Sequence, residues 1–452
     1  MMTARFRFDL AASRRGPAGQ RGLTLLELML ALLLGLLVTA GIVALFTATN
    51  KTSRAQAAMS RIQENGRYAV SRMEADLRMA GALFRQSTAA SPGGWTDGAQ
   101  GALLPRNTIL VNTNALVLQD MGTQTGRLAE WPAPAVYPLS AAFFIRGYEC
   151  SGGTCAPALP TGSNGFPPAG TALGNRVPGS DVLTVKYVRG PGWAYTLAPV
   201  AASGYAATFA VDTASGGGTF NFTSGDLVLL SDCGRSAPLL FQANVSGNVL
   251  TPRPGTLLDA TVFVPGSGEG NCDERLFNFT RDFATVSYWL QLTADPNPSA
   301  PGRLIPTLMR REDGVTQELT QGVERLDFLY GASSIGNGGM TYLTAAQVDS
   351  NSNLATCSKP SRSFESGGVD IDVWREPGCL WRALRSIEVH ALFNTIDDVT
   401  VMSPQDMAYW YSIDGGSGPV APAATMPVSG LAPGRMIRRE FVSLVSVRNG
   451  SN

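Results

Sequence analysis

The sequence predicts an α+β protein: one long N-terminal helix, transmembrane and then amphipathic, packed on a large β-rich, loop-rich domain. Three observations carry this. Residues 23–46 form an apolar run with a single charge. A helical stripe follows, with no proline from Leu23 to Phe84. From residue 86 to 452, short segments rich in Val, Leu, Thr and aromatics alternate with Gly, Pro, Ser and Asn clusters.

The chain has 452 residues, with 35 Lys+Arg against 35 Asp+Glu. A net charge of zero does not suit a strongly basic nucleic-acid protein or an acidic disordered tail. A hydrophobic content of 44% supports a folded core. The charge is unevenly placed. Residues 1–22 hold Arg5, Arg7, Arg14, Arg15 and Arg21 against Asp9, a net of +4, so the remainder sums to −4. A short basic head before a long apolar run marks a targeting segment.

The apolar run reads LTLLELMLALLLGLLVTAGIVALF. As a helix it spans about 36 Å, enough for a hydrocarbon layer of roughly 30 Å. The basic head predicts a cytoplasmic start and export of everything after the span. A plain signal anchor accounts for the length and the arginines. A cleaved secretory signal, with Val38-Thr39-Ala40 as its site, does the same. Neither accounts for Glu27. A carboxylate inside a membrane costs roughly 2.5–3.5 kcal/mol on insertion scales, so it calls for a functional partner.

Beyond the span, Met59, Ile62, Gly66, Ala69, Met73, Leu77, Ala80 and Phe84 recur at steps of three and four. That spacing is one face of an amphipathic helix and predicts core packing. Arg54, Arg61, Glu64, Arg67, Arg78 and Arg85 lie mostly off it, and Gly81 is a natural place for the helix to end.

Candidate strands are Thr108–Leu118, Ala141–Ile145, Asp181–Val188, Ala207–Val211, Leu227–Ser231, Leu239–Ala243, Val286–Leu292, Arg325–Tyr330, Ile387–Leu392 and Phe441–Val447. The loop Pro157–Pro178 is long for a compact domain and suggests a surface insertion.

Cys150, Cys155, Cys233, Cys272, Cys357 and Cys379 all lie in the part predicted to be exported. An even count there reads as disulfides. Pairing in order, 150–155, 233–272 and 357–379, closes the shortest loops. Zinc is poorly supported, because no C-x2-C occurs and His390 is the single histidine.

The search for chemistry yields no active site. His390 sits in the apolar stretch IEVHALF, where a satisfied strand histidine is the simpler reading. Neither a G-x-S-x-G elbow nor a phosphate-binding G-x4-G-K-[ST] loop occurs. Asp349-Ser350-Asn351-Ser352-Asn353 starts like a calcium loop. It has Leu354 where Gly is required and Pro360 where Glu is required. Asp232, Asp397-Asp398 and Asp273-Glu274-Arg275 read as turn and loop residues. The arginines are scattered, without a basic stripe interleaved with aromatics. The expectation is a non-enzymatic protein without cofactor, metal or nucleic acid.

Arg21-Gly22-Leu23-Thr24-Leu25-Leu26-Glu27 resembles the type IV prepilin processing motif. The resemblance implies cleavage after Gly22 and a methylated N-terminus at Leu23. Glu27, fifth in the mature chain, would pair with the N-terminal amine of a neighbouring subunit. Two buried opposite charges then neutralise each other, and a subunit lacking the carboxylate strands a cation. Leu stands where the family commonly has Phe, and the leader of residues 1–22 is long.

A second resemblance runs through residues 62–81, IQENGRYAVSRMEADLRMAG. Gln63, Glu64, Asn65, Arg67, Tyr68, Ala69, Asp76, Leu77, Arg78, Ala80 and Gly81 match the helix of PilW-type minor pilins. Collinear stretches extend it: 180–185, 225–233, 318–331, 382–385 and 438–449. The Cys that many relatives carry just after the helix is missing here, so their disulfide pattern does not transfer.

The resemblance implies a leader at 1–22 and a pilin-like helix at 23–85, transmembrane over 23–46 and amphipathic over 47–85. An extracytoplasmic domain with insertions follows at 86–452. It implies a minor pilin that assembles or primes a type IV pilus, anchored once in the inner membrane of a Gram-negative bacterium. Its domain would lie in the periplasm, then on the pilus at the cell surface. Other minor pilins, the major pilin, the prepilin peptidase and the inner-membrane assembly platform would be its partners. The alternatives are a minor pseudopilin of a type II secretion system and a membrane-anchored adhesin or DNA-uptake module.

Overall fold

A computed structural model describes residues 24–81, 110–111, 144–159, 165–198, 208–215, 219–231, 239–254, 274–297, 301–334, 339–350, 364–366, 369–371, 379–382, 384–397, 405, 407–415, 419 and 436–447. The chain divides into two compact units, Met1–Ala57 and Ala58–Asn452. Helix α1, Leu25–Met79, contributes to both.

In the larger unit the sequence stripe is the packed face. Ile62, Gly66, Ala69, Met73, Leu77 and Ala80 are buried, whereas Arg61, Glu64, Arg67 and Arg78 are exposed. Gly81, at a φ of 69°, ends the helix in the left-handed region that glycine enters without strain. Its N–H bonds the Lys186 carbonyl at 2.9 Å.

The strands run in chain order. β1 (Leu110–Val111), β2 (Ile145–Ser151), β3 (Thr154–Ala156) and β4 (Val182–Val188) come first. β5 (Tyr195–Ala198), β6 (Thr208–Val211), β7 (Leu227–Ser231), β8 (Leu239–Ser246), β9 (Val249–Pro252) and β10 (Arg275–Asn278) follow. A four-residue helix α2 (Phe279–Asp282) leads into β11 (Phe283–Ala294), β12 (Leu304–Glu312) and β13 (Val315–Gln321). β14 (Val323–Ser333), β15 (Met340–Leu343), helix α3 (Ala345–Asp349) and the ribbon β16 (Phe364–Ser366) and β17 (Val369–Ile371) come next. β18 (Ser386–Asn394) and β19 (Arg438–Ser446) are the last strands among the described residues.

Three larger sheets result. One has the order β13-β12-β11-β4-β2-β3 and another β15-β14-β18-β19. The third has the order β10-β7-β8-β9-β6-β5, with β1 parallel on β8. β4 and β11 are direct antiparallel neighbours although residues 189–282 separate them. Strands β5–β10 of the third sheet are therefore an insertion between two paired strands, and β1 joins them from earlier in the chain. The sheet's own core gathers Leu227, Leu229, Leu240, Phe277 and Phe279 against Phe144, Val188 and Phe283.

Asp181 stitches the first two sheets together. Its carboxylate accepts from the Cys150 N–H at 2.9 Å on β2 and the Phe328 N–H at 3.2 Å on β14. Its own N–H donates to the Leu326 carbonyl at 2.9 Å. Burial, reinforced by the nearby Asp327 carboxylate, pushes its pKa well above the usual range despite those two donors.

Leu239–Ala243, Val286–Leu292, Arg325–Tyr330 and Ile387–Leu392 recur with longer bounds, because the ladder extends past the apolar centre of each. Leu227–Ser231 recurs unchanged, Asp181–Val188 and Ala207–Val211 begin one residue later, and Phe441–Val447 is shifted to Arg438–Ser446. Ala141–Ile145 meets β2 only at Ile145, and residues 141–143 lie outside the described residues. Of Thr108–Leu118, only Leu110–Val111 falls within the described residues. The short strands β3, β5, β9, β10, β15, β16 and β17 and the longer β12 and β13 escape the sequence reading. β12 carries Pro306 and a Met-Arg-Arg run, and β13 reads VTQELTQ, whose polar side chains suit an exposed edge.

Cys150 and Cys155 are disulfide-bonded across the β2–β3 hairpin. Cys233, Cys272 and Cys357, and the side chain of Cys379, lie outside the described residues. Replacing Cys150 and Cys155 by alanine is expected to cost about 2 kcal/mol through the loop entropy of the unfolded chain. A denaturant midpoint for the full chain measures it. An unchanged midpoint would mean that β2–β3 pairing alone holds the hairpin.

Candidate functional site

In the Met1–Ala57 unit, α1 carries apolar side chains on every side, and all are exposed, from Leu25 at 76% to Phe46 at 66%. A helix apolar all round suits lipid, not water. It is long and apolar enough to cross a membrane. Its hydroxyls are satisfied within the helix. Thr39 donates to the Gly35 carbonyl at 2.6 Å, Thr47 to Ala44 at 2.9 Å and Thr49 to Leu45 at 2.9 Å. Such back-bonding removes the need for water as a partner.

Glu27 stands at the start of this helix. One carboxylate oxygen accepts from the Thr24 N–H and from the Thr24 hydroxyl, each at 3.1 Å. The Glu27 N–H donates to the Thr24 hydroxyl oxygen at 3.2 Å. This is a reciprocal capping box, in which two orphan donors of the first turn gain acceptors. The acidic side chain also meets the positive end of the helix dipole. Thr-x-x-Glu is a legible signature, yet reading Glu27 only as a partner for another subunit passes over it. Gly22 and Leu23 lie outside the described residues.

The Ala58–Asn452 unit is clasped by a second carboxylate, Asp76, buried on the packed face of α1. Its neighbours come from three strands. Tyr187 on β4 donates to it at 3.0 Å, and Tyr288 on β11 donates to its other oxygen. Arg310 on β12 donates through Nε at 2.7 Å and Nη2 at 3.2 Å. Arg310 also binds Glu312 at 2.6 Å, and Glu312 takes Arg189 at 2.9 Å. Burial pushes both tyrosine hydroxyls upward, and the adjacent Asp76 charge adds to the shift. For Arg310 burial acts downward, but the hydrogen bonds to Asp76 and Glu312 prevail and raise it. Sequence reasoning misses this clasp. The available signal is that Asp76 falls three residues after Met73 and four before Ala80, on the buried stripe.

Gly66 makes a second close contact. A Cβ there would sit 2.3 Å from the Phe441 ring on β19, so only glycine allows this approach. Nearby, the Ser443 hydroxyl donates to Glu74.

His390 is buried on β18, and its Nδ1 lies 3.0 Å from Glu440 and 2.9 Å from the Ser412 hydroxyl. Its Nε2 is 3.4 Å from Glu388. Ser412 gives both its hydroxyl, at 2.6 Å, and its N–H, at 3.0 Å, to Glu440. Burial raises the Glu440 pKa, but the hydrogen bonds from His390 and Ser412 hold it below the usual range. The cluster pins residues 411–412 against the outer face of the β15-β14-β18-β19 sheet.

The remaining sequence candidates have structural partners where described. Asp349 takes Arg146 at 2.8 Å and the Trp381 indole N–H at 3.1 Å, and Asn351–Asn353 lie outside the described residues. Asp397 takes Arg303 at 2.8 Å. Among the described residues, no group of three or more His, Cys, Asp or Glu is placed to hold a metal ion.

Two family models match the chain. One, described as Type IV Pilus-assembly protein W, covers residues 293–449, from the end of β11 to just past β19. The other, the prokaryotic N-terminal methylation motif, covers residues 17–43, which include Thr24 and Glu27. No curated protein and no solved structure matches. The matched families are pilus structural and assembly proteins rather than enzymes. With a methylation motif leading into an apolar helix and a W-type region closing the β-rich unit, the chain matches a PilW-type, prepilin-like protein of the type IV pilus.

Proposed function

We propose that this chain is a minor pilin that helps assemble or prime a type IV pilus. Its domain would be exported to the periplasm, and its leader removed after Gly22. The observation that carries the reading is Glu27, the single charge in the apolar span 23–46, at the head of α1. Before assembly, the Thr24 N–H and hydroxyl supply this carboxylate with donors inside its own chain. That lowers the cost of waiting in the membrane. After cleavage, the Leu23 amine of a neighbour offers a full opposite charge, a stronger partner than neutral donors in a low-dielectric filament core. Glu27 then sets the register between subunits while apolar helices bundle around it. The partners of this step are other minor pilins, the major pilin, the prepilin peptidase and the inner-membrane assembly platform.

The mature N-terminus tests the reading. The full chain is expressed with and without the prepilin peptidase, and its intact mass and terminal sequence are determined. A chain starting at methylated Leu23, only when the peptidase is present, is the expected result. A start at Gly41, or an uncut leader in both hosts, would overturn it.

A further inference from the structure

A cavity of about 330 Å³ lies where α1 meets two turns inside the Ala58–Asn452 unit. On α1 it is lined by Ala58, Arg61, Ile62 and Asn65. These are positions i, i+3, i+4 and i+7, so a single face of the helix forms this wall. The other walls come from residues 295–297, which connect β11 to β12, from Gln321 at the end of β13, and from residues 394–397 at the end of β18. Small-molecule sites occupy roughly 300–1,000 Å³, so this cavity suits a ligand at the small end of that range.

Charges of opposite sign stand on different walls. Among the described residues, the exposed Arg61 guanidinium has no hydrogen-bond or ion-pair partner, and neither have the side-chain amides of Asn65 and Gln321. On the two turns, Arg303 binds Asp295 and, at 2.8 Å, Asp397. One guanidinium against two carboxylates leaves that side with one negative charge in excess, and the Asp397 side chain is 66% exposed. No ion pair joins Arg61 to either carboxylate across the space. The lining also includes the apolar Ile62, Pro296 and Ile396.

Ile396 is held in an uncommon conformation. Its φ is 61°, in the left-handed region that a β-branched residue rarely enters. Its N–H donates to Asn394 Oδ1 at 2.9 Å, and Arg303 Nη1 donates to its carbonyl at 3.2 Å. The Thr395 hydroxyl donates to the Asp397 carbonyl at 2.9 Å. Strain of this kind persists only where the surroundings impose it, and it gathers at ligand clamps. Here the same bonds that impose it hold Asp397 beside the cavity.

We infer that this cavity binds an amino-acid zwitterion with an apolar side chain, either free or as a dipeptide. Arg61 takes the ligand carboxylate, since its planar guanidinium suits two parallel hydrogen bonds. Asn65 and Gln321 each offer a donor and an acceptor to the remaining polar groups. Asp397 and Asp295 take the ammonium, and the ligand side chain meets Ile62, Pro296 and Ile396. A simple anion would leave the acidic turns without a partner, and a simple cation would leave Arg61 without one. A ligand carrying both charges serves both walls at once. A dipeptide spans about 7 Å, which a cavity of this volume admits. The proposal goes beyond the pilin reading and does not rest on it.

The test titrates the detergent-solubilised full chain with L-leucine and with L-leucyl-L-leucine by calorimetry. Saturable binding of at least one probe, with a Kd at or below about 1 mM, is the expected result. Acetylating the probe's amine or amidating its carboxylate removes one charge, and each should weaken binding about tenfold or more. In Arg61→Gln the amidated and free probes should bind alike. In Asp397→Asn the acetylated and free probes should bind alike. Both side chains are exposed, so the two variants should keep the parent's denaturant midpoint. The tighter of the two probes tells a free amino acid from a dipeptide. The proposal is overturned if neither probe binds with a Kd at or below about 1 mM. It is also overturned if blocked probes bind as tightly as free ones, or if either variant keeps the parent's preference. The N-terminal processing experiment stands apart, so the two readings can fail separately.

Discussion

Asp76→Ala is expected to destabilise the Ala58–Asn452 unit by about 3–5 kcal/mol, the cost of stranding one partner of a buried ion pair. Arg310, 1% exposed, would keep Glu312 and the Tyr288 hydroxyl oxygen but lose its buried carboxylate, and the Tyr187 and Tyr288 hydroxyls would lose their acceptor. Denaturant unfolding of the detergent-solubilised full chain measures the loss. Arg310→Met combined with Asp76→Ala should recover part of it, since replacing both charges leaves none uncompensated. A loss under about 1 kcal/mol would show that α1 is held by apolar packing alone. The Tyr187 and Tyr288 phenols contribute part of the alkaline limb, beside Tyr330, Tyr409 and Tyr411, whose hydroxyls burial also pushes upward. The folded pKa values of Tyr187 and Tyr288 lie above the ordinary 10.0, so their contribution is full below that pH and lost as pH rises toward the folded values. Burial remains in Asp76→Ala, so only part of that alkaline sensitivity should disappear.

Glu27→Ala is expected to reduce incorporation into filaments by about 100-fold or more, if a stranded amine in the filament core costs about 3 kcal/mol. Quantitative immunoblotting of sheared filaments against the membrane fraction gives the ratio. Leader cleavage should persist, which separates an assembly defect from a processing defect. Thr24→Val removes the capping hydroxyl and keeps the carboxylate. Its expected cost is that of a lost cap, about 1 kcal/mol, or a few-fold in the same assay. Equal effects of the two substitutions would assign Glu27 to helix capping rather than to pairing between subunits. Undiminished incorporation of Glu27→Ala would remove the assembly role altogether.

Some of this was legible in local pattern. A helix in water must hide one face, so Ile62, Gly66, Ala69, Met73, Leu77 and Ala80 recur at the helical period and are the residues that pack. A buried strand must be apolar, so Val182–Val188 and Leu227–Ser231 stand out in the sequence. Glu27 is conspicuous because a carboxylate is rare in such a span. Among the strands that escaped, β12 and β13 carry Arg310 and the exposed Thr-Gln-Glu run, where partners rather than periodicity decide the residue.

The sequence alone determined the apolar anchor, its single carboxylate, the amphipathic continuation and the β-rich character of residues 86–452, because each is written in the spacing of neighbouring residues. Tertiary structure alone decided that Asp76 meets Arg310, 234 positions away. It likewise decided that β4 pairs with β11 across six intervening strands, and that Val442 and Leu444 on β19 are exposed. These depend on which distant segments the chain brings together, and contact between distant segments leaves no period in the sequence.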